Sequence, residues 1–164
     1  VSWSLPSGPN IIQNARMTLG WEWKRFEDLT ADEVYTILCV RQKVFVLEQE
    51  CLYLDADGKD RQSFHLMGFD GDEMVAYARI LDAGVSYTEV SMGRILTTDK
   101  ARGKGAGIEL MEVALERIER HYGRVPIRIS AQTYLLSFYE KFGFRSTGKE
   151  YLEDEIPHTE MLRK

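Results

Sequence analysis

Residues Arg102-Gly103-Lys104-Gly105-Ala106-Gly107 put three glycines and two cations into six positions. A β-type run, Val90-Ser91-Met92-Gly93-Arg94-Ile95-Leu96-Thr97, precedes them, and a helical pattern from Ile108 to about His121 follows. Strand, glycine-rich turn and helix start, in that order, make a receptor for phosphate. The first N–H groups of a helix have no acceptor within it, and the positive end of the helix dipole stands behind them. Glycine lets a backbone approach an anion and adopt turns that a Cβ would forbid. Arg102 and Lys104 add full positive charge. The Walker pattern GxxxxGK[ST] is absent, and GxGxxG, started at Gly103, fails at Ile108. No acidic residue about 20 positions on closes a following strand in the dinucleotide manner. For the loop alone, the plain alternative is a tight turn that binds nothing.

Working outward, the helix after the loop carries Ile108, Met111, Leu115 and Ile118 on one face, with Leu110 and Ala114 beside them. That spacing predicts a core-facing stripe. Tyr122-Gly123 stops the helix, Pro126 to Ala131 reads as a strand, and a short helix from Thr133 to Phe142 ends at Gly143. Upstream, Trp21 to Phe26 alternates as a half-buried strand does. Thr30 and Glu33 form a capping box for a helix running to about Phe45. Phe64 to Phe69 and Met74 to Leu81 pair as a hairpin about Asp70-Gly71-Asp72. The tail from His158 to Arg163 alternates like an edge or inserted strand. This order predicts an α/β fold, one mixed sheet with helices on both faces, formed by residues 21–164. Residues 1–20, with Pro6, Gly8 and Pro9 and no sustained periodicity, read as an extension or cloning remnant. They lack the cationic and apolar regions of a secretory signal.

The loop also fits R-x-x-G-x-G/A, which resembles the pyrophosphate loop of the GNAT superfamily of acyl-CoA N-acyltransferases. Phe138-Tyr139-Glu140-Lys141-Phe142-Gly143-Phe144 resembles the F-Y-x-x-x-G-F signature of the same superfamily, one helix and one strand further on. Val44 to Gly58 (V-F-V-L-E-Q-E-C-L-Y-L-D-A-D-G) is similar to a signature of its ElaA-type branch, as are Val75 to Leu81, Gly93-Arg94, Ala131-Gln132 and Ile156-Pro157-His158. The resemblance runs from about Trp21 to the end of the chain. It implies a GNAT fold and use of acetyl-CoA, and leaves the amine acceptor open between small molecules and peptide or protein amines.

Composition narrows the classes further. The 164 residues suit one domain with a sizeable core, and 44% hydrophobic content is ordinary for a globular protein. No apolar run approaches the roughly 20 residues of a membrane span. A net charge of −5 gives no basic footprint for nucleic acid. Cys39 reads as core and Cys51 as a half-buried loop filler. Both are expected to be reduced thiols in a cytoplasmic protein without a metal site.

Acyl transfer to an amine needs an anchored CoA, a polarised carbonyl, a neutral amine and a proton for the departing thiolate. The anchor is Arg102 to Gly107, that is Arg102, Gly103, Lys104, Gly105, Ala106 and Gly107. The resemblance implies that the backbone of Ile95, Leu96 and Thr97 pairs with the pantetheine amides. Tyr139 is the expected general acid, against a plain packed aromatic. The base stays open among Glu89, His65, His158 and a water chain, with His158 favoured by its I-P-H context. Glu48 to Asp60 holds five acids and one lysine, and reads as a solvated loop or an acidic rim for an ammonium. It fails as a calcium loop, because with Gly58 at position six Tyr53 and Phe64 occupy ligand positions. The expectation is an N-acetyltransferase acting through a direct ternary complex. A noncatalytic acyl-CoA-binding sensor or interaction module on the same fold is the alternative, and a homodimer is left open.

Overall fold

The computed structural model describes residues 17–50 and 52–164. The expected extension up to residue 16 and Cys51 lie outside the described residues. Seven strands form one sheet: β1 (Gly20–Arg25), β2 (Ser63–Asp70), β3 (Glu73–Leu81), β4 (Val90–Thr97), β5 (Ile127–Gln132), β6 (Arg145–Glu153) and β7 (Ile156–Arg163). Their spatial order is β1-β2-β3-β4-β5-β7-β6. Among the described residues β4 and β5 alone pair in parallel; every other neighbouring pair is antiparallel. The tail strand β7 is therefore an inserted strand, and β6 takes the edge.

Helices α1 (Ala31–Arg41), α2 (Ala106–Tyr122) and α3 (Leu136–Glu140) cover both faces. Leu110, Met111, Ala114 and Ile118 of α2 and Tyr139 of α3 pack on Leu66, Ala78, Ile80, Met92, Ile127 and Ile129. Ile37 of α1 and Val44 just beyond it pack with Met67, Tyr77 and Leu96 on the other face. Strand side chains alternate between faces, so a single β3 feeds both cores. Thr30 and Glu33 form the expected reciprocal capping box: the Glu33 N–H donates to Thr30 Oγ1 (3.2 Å) and the Thr30 N–H to Glu33 Oε2 (2.8 Å).

Several details differ from the expectation. Helical winding continues past Phe45 as a π-helical segment, Gln42–Glu48. Helix α2 starts at Ala106 rather than Ile108, and its buried line is Ala106, Leu110, Met111, Ala114 and Ile118. Ile108 lies two residues, about 200°, from both Ala106 and Leu110, so it faces outward and is 42% exposed. Cys39 is exposed rather than core, because the inner face of α1 is Ile37 and Arg41, again two residues away on either side. Leu19 is buried, so the packed unit reaches back before Trp21.

Candidate active site

β4 and β5 pair only over Val90–Met92 and Ile127–Ile129. Beyond Met92 the two strands separate. The cause is local to β4: Arg94 has φ of 52°, in the left-handed region, and the β3–β4 register shifts opposite it, between Tyr77 and Arg79. A bulge of this kind bends its strand and increases the twist. The β5-facing edge of β4 from Gly93 to Thr97 is thus left without a strand partner among the described residues, and a cleft of about 1090 Å³ opens between the strands. Ile95, Leu96, Thr97 and Arg102 line it, together with Tyr87, Glu153 and Asp154. The π-helical segment adds a wall. One extra residue in a turn rotates the rest of the segment about its axis, and Val44, Phe45, Glu48 and Gln49 all line the cleft.

The glycine-rich loop closes the cleft at the end of β4. Its first turn is fixed by Thr98, whose carbonyl accepts from the N–H groups of Ala101 (3.0 Å) and Arg102 (3.1 Å). Gly103 (φ 74°) and Gly105 (φ 83°) then take left-handed conformations, and Gly105 caps α2 with no side-chain acceptor. A β-carbon in that conformation costs about 1–2 kcal/mol, so glycine is required here. Among the described residues, the N–H groups of Gly103, Gly105, Ala106 and Gly107 have no acceptor. Four free donors at a helix start favour an anion. Of the two cations, Arg102 reaches back to the Thr97 carbonyl (3.1 Å) and pairs with Glu48 (2.6 Å), whereas Lys104 has no ion pair among the described residues.

The three candidate catalytic side chains fall in different surroundings. Tyr139 lines the cleft, is 6% exposed, and packs edge-on against Phe138 and Phe144. Burial and the neighbouring Tyr134 push its hydroxyl pKa up, so it stays protonated at neutral pH. His158 also lines the cleft, in a row of registered neighbours: Gln132 on β5, His158 on β7 and Tyr151 on β6. Its Nδ1 lies 2.8 Å from the Ile156 carbonyl. A carbonyl only accepts, so Nδ1 carries a proton, and Nε2 lies 3.8 Å from Glu153. Glu89 sits just before β4 and receives two hydrogen bonds from Arg128 (2.7 and 2.9 Å), which hold its carboxyl down at about 2. A carboxylate so held is a weak base at neutral pH. His65 is buried and away from the cleft, between the Tyr77 hydroxyl (2.7 Å) and the Asp60 carbonyl (2.9 Å).

Residues 27–164 match the acetyltransferase (GNAT) domain family. The chain belongs to the GNAT family. Protein ElaA of Escherichia coli is 38% identical over 88% of this chain and 95% of its own length. A Synechocystis protein is 43% identical over 89% of this chain and 96% of its own. Among solved structures, an acyl-CoA N-acyltransferase from Pseudomonas aeruginosa is 40% identical, with a TM-score of 0.86, over 90% of this chain and all of its own. This is the fold of acyl-CoA-dependent acyltransferases.

What sequence reasoning missed in this GNAT domain is the ion-pair network at the floor of the cleft, which Asp57, Arg79 and Arg94 line. Asp55, Asp57 and Asp60 neither float in solvent nor form an ammonium rim. They bind three arginines. Asp55 takes Arg41 on one oxygen and Arg94 on the other, both at 2.7 Å. Arg79 grips both oxygens of Asp57 (2.7 and 2.7 Å) and one of Asp60 (2.8 Å), which also takes Arg41 (2.6 Å). Desolvation opposes these charges, but the arginines prevail and hold the Asp57 and Asp60 carboxyls below the usual range. The available signal was Arg79 itself, a cation in the apolar run Ala76-Tyr77-Ala78-Arg79-Ile80, which demands acidic partners. Cys39 is exposed on α1, away from this machinery, and Cys51 is outside the described residues. The double variant Cys39→Ala, Cys51→Ser should keep its activity within about twofold, because a covalent route needs an activated thiolate beside a base. Acetyl trapped on Cys51, detected by mass spectrometry, would reverse that.

Proposed function

We propose that the protein transfers acetyl from acetyl-CoA to a primary amine by direct attack in a ternary complex. The observation that carries this reading is the unpartnered edge of β4 leading down to four free N–H groups at the start of α2. In it, the backbone of Ile95, Leu96 and Thr97 holds the pantetheine amides as a neighbouring strand would. Gly103, Gly105, Ala106 and Gly107 receive the pyrophosphate, with Arg102 and Lys104 beside it. The thioester then lies near the bulge, where a β4 N–H polarises its carbonyl. The amine nitrogen attacks the carbonyl carbon and the carbon–sulfur bond breaks. The Tyr139 hydroxyl gives its proton to the leaving sulfur, whose basicity rises in the same apolar surroundings. Nε2 of His158 takes the proton that the amine loses, directly or through water, and Glu153 faces the resulting imidazolium. Glu89 has no part in the transfer. The reading includes a cytoplasmic location. No described helix is long and apolar enough to cross a membrane.

Release of free thiol from acetyl-CoA with a panel of amines, with the products weighed by mass spectrometry, tests the reading. Acyl-CoA binding without turnover of any amine would instead favour a sensor on the same fold. The loop assignment has its own test. Gly105→Val places a β-branched residue at φ 83° and should weaken acetyl-CoA binding by about tenfold or more. Unchanged affinity by calorimetry in a folded variant would remove the loop from the site.

A further inference from the structure

The cleft floor holds two buried hydrogen-bond donors that no described residue uses. Arg79 is 3% exposed and Ser91 is 1% exposed, and both line the cleft. Although Arg79 commits its two terminal nitrogens to Asp57 and Asp60, its Nε has no partner among the described residues, and neither has Ser91 Oγ. Gly93 neighbours both. It is opposite Arg79 in the β3–β4 register and two residues from Ser91 along β4, so the three share one face of the sheet. A Cβ built on Gly93 would meet nothing within 4 Å, which leaves a notch at that point of the floor. Lys59 stands on the same lining. Its Nζ donates to Ser86 Oγ (2.9 Å) and has no carboxylate partner among the described residues. The charges of Arg41, Arg79 and Arg94 are matched by Asp55, Asp57 and Asp60, which leaves Lys59 as a cation of the lining without a carboxylate partner among the described residues.

Chemistry selects the ligand. A guanidinium N–H and an ammonium only donate, and a hydroxyl can donate. Two donors buried without acceptors cost stability, so the fold carries an expense that a bound acceptor would remove. A cation on the same lining favours an anionic acceptor, and a carboxylate offers two acceptor oxygens to the two donors. Resting on the acyl-transfer reading above, we propose that the Arg79–Ser91–Gly93 notch, with Lys59, is a carboxylate subsite of the cleft. The carboxylate has two sources: the acceptor, as an α-amino acid or related amino acid presenting its amine to the thioester, or the far end of a dicarboxylic acyl group on CoA.

The test reads ratios, which are insensitive to the fraction of a variant that folds. Leucine, phenylalanine and methionine are each compared with their amides under acetyl-CoA. The amide has the less basic amine, so a preference for the acid cannot come from amine ionisation. If the acceptor is the source, kcat/KM for the acid exceeds that for the amide by about tenfold, as for one charge-assisted interaction, and Ser91→Ala and Lys59→Met each bring the ratio toward one. If the donor is the source, calorimetry gives succinyl-CoA a similar advantage over acetyl-CoA that the same two variants erase. Should no amine turn over, N-acetylleucine against N-acetylleucinamide, titrated into the CoA-loaded protein, replaces the first arm. Ratios within about twofold of one in every arm, in a protein that binds acetyl-CoA, overturn the subsite and leave acyl transfer standing. Failure to bind acetyl-CoA at all overturns the acyl-transfer reading itself.

Discussion

Tyr139→Phe should lower kcat by about 10²–10⁴-fold, the usual contribution of a general acid, while the KM for acetyl-CoA stays within about twofold. The ring is what packs: it is 6% exposed and meets Phe138 and Phe144 edge-on. Phenylalanine keeps that packing. The hydroxyl has no hydrogen-bond partner among the described residues, so its removal orphans no buried group. Its effect on the proposed reaction is confined to the transition state, where sulfur gains charge as the thioester breaks. The loss should shrink with an acyl donor whose thiolate leaves more readily, because less proton donation is then needed. Steady-state kinetics with both donors, in a regime where chemistry limits the rate, checks this. A kcat within about twofold of the parent would make Tyr139 an ordinary packed aromatic.

The parts of this site legible in the sequence are those written in local chemistry. Strand, glycines and helix start sit within eighteen consecutive residues, Val90 to Gly107, and two of the glycines, Gly103 and Gly105, take the left-handed turns that glycine permits. The capping box of Thr30 and Glu33 is local for the same reason. The floor is not local. Asp55 binds arginines 14 and 39 positions away in sequence, and nothing in a run of acids says whether its partners are water or buried guanidinium groups. Sheet order has the same limit. The alternation of His158 to Arg163 announces a strand, but only pairing places it between β5 and β6, and it is that placement which brings His158 into line with Gln132 and Tyr151. The bulge was equally hidden, because Arg94 is not a residue that advertises a left-handed φ. The side chain that holds it, Asp55, stands in the segment read as solvated.

That segment carries the largest expected effect on stability. Asp55 is 4% exposed and bridges Arg41, which is fully buried, to Arg94 at the bulge. Removing one member of a buried ion pair leaves charge uncompensated, at a cost of about 3–5 kcal/mol. Arg41 keeps Asp60 (2.6 Å) and the Asp55 carbonyl (3.0 Å), so Asp55→Ala should fall at the low end, about 3 kcal/mol. For a chain of this size that is a fall in Tm of about 6–12 °C. Asp55→Asn keeps the shape and one acceptor oxygen and should lose less, which separates the charge from the packing. The network also sets the acid limit. Asp57 and Asp60 have lowered folded pKa values, against about 3.9 in an unfolded chain. Their contribution is therefore complete above about pH 4–5 and is lost as pH falls through the folded values. Stability of the parent should be level in pH as far as these groups decide it down to about pH 5, then fall steeply below pH 4. Thermal unfolding of the parent and both variants across that range checks the sign and the size together. A Tm for Asp55→Ala within about 3 °C of the parent, roughly 1 kcal/mol, would mean that the arginines find solvent easily and that the bulge at Arg94 is held by something other than this carboxylate.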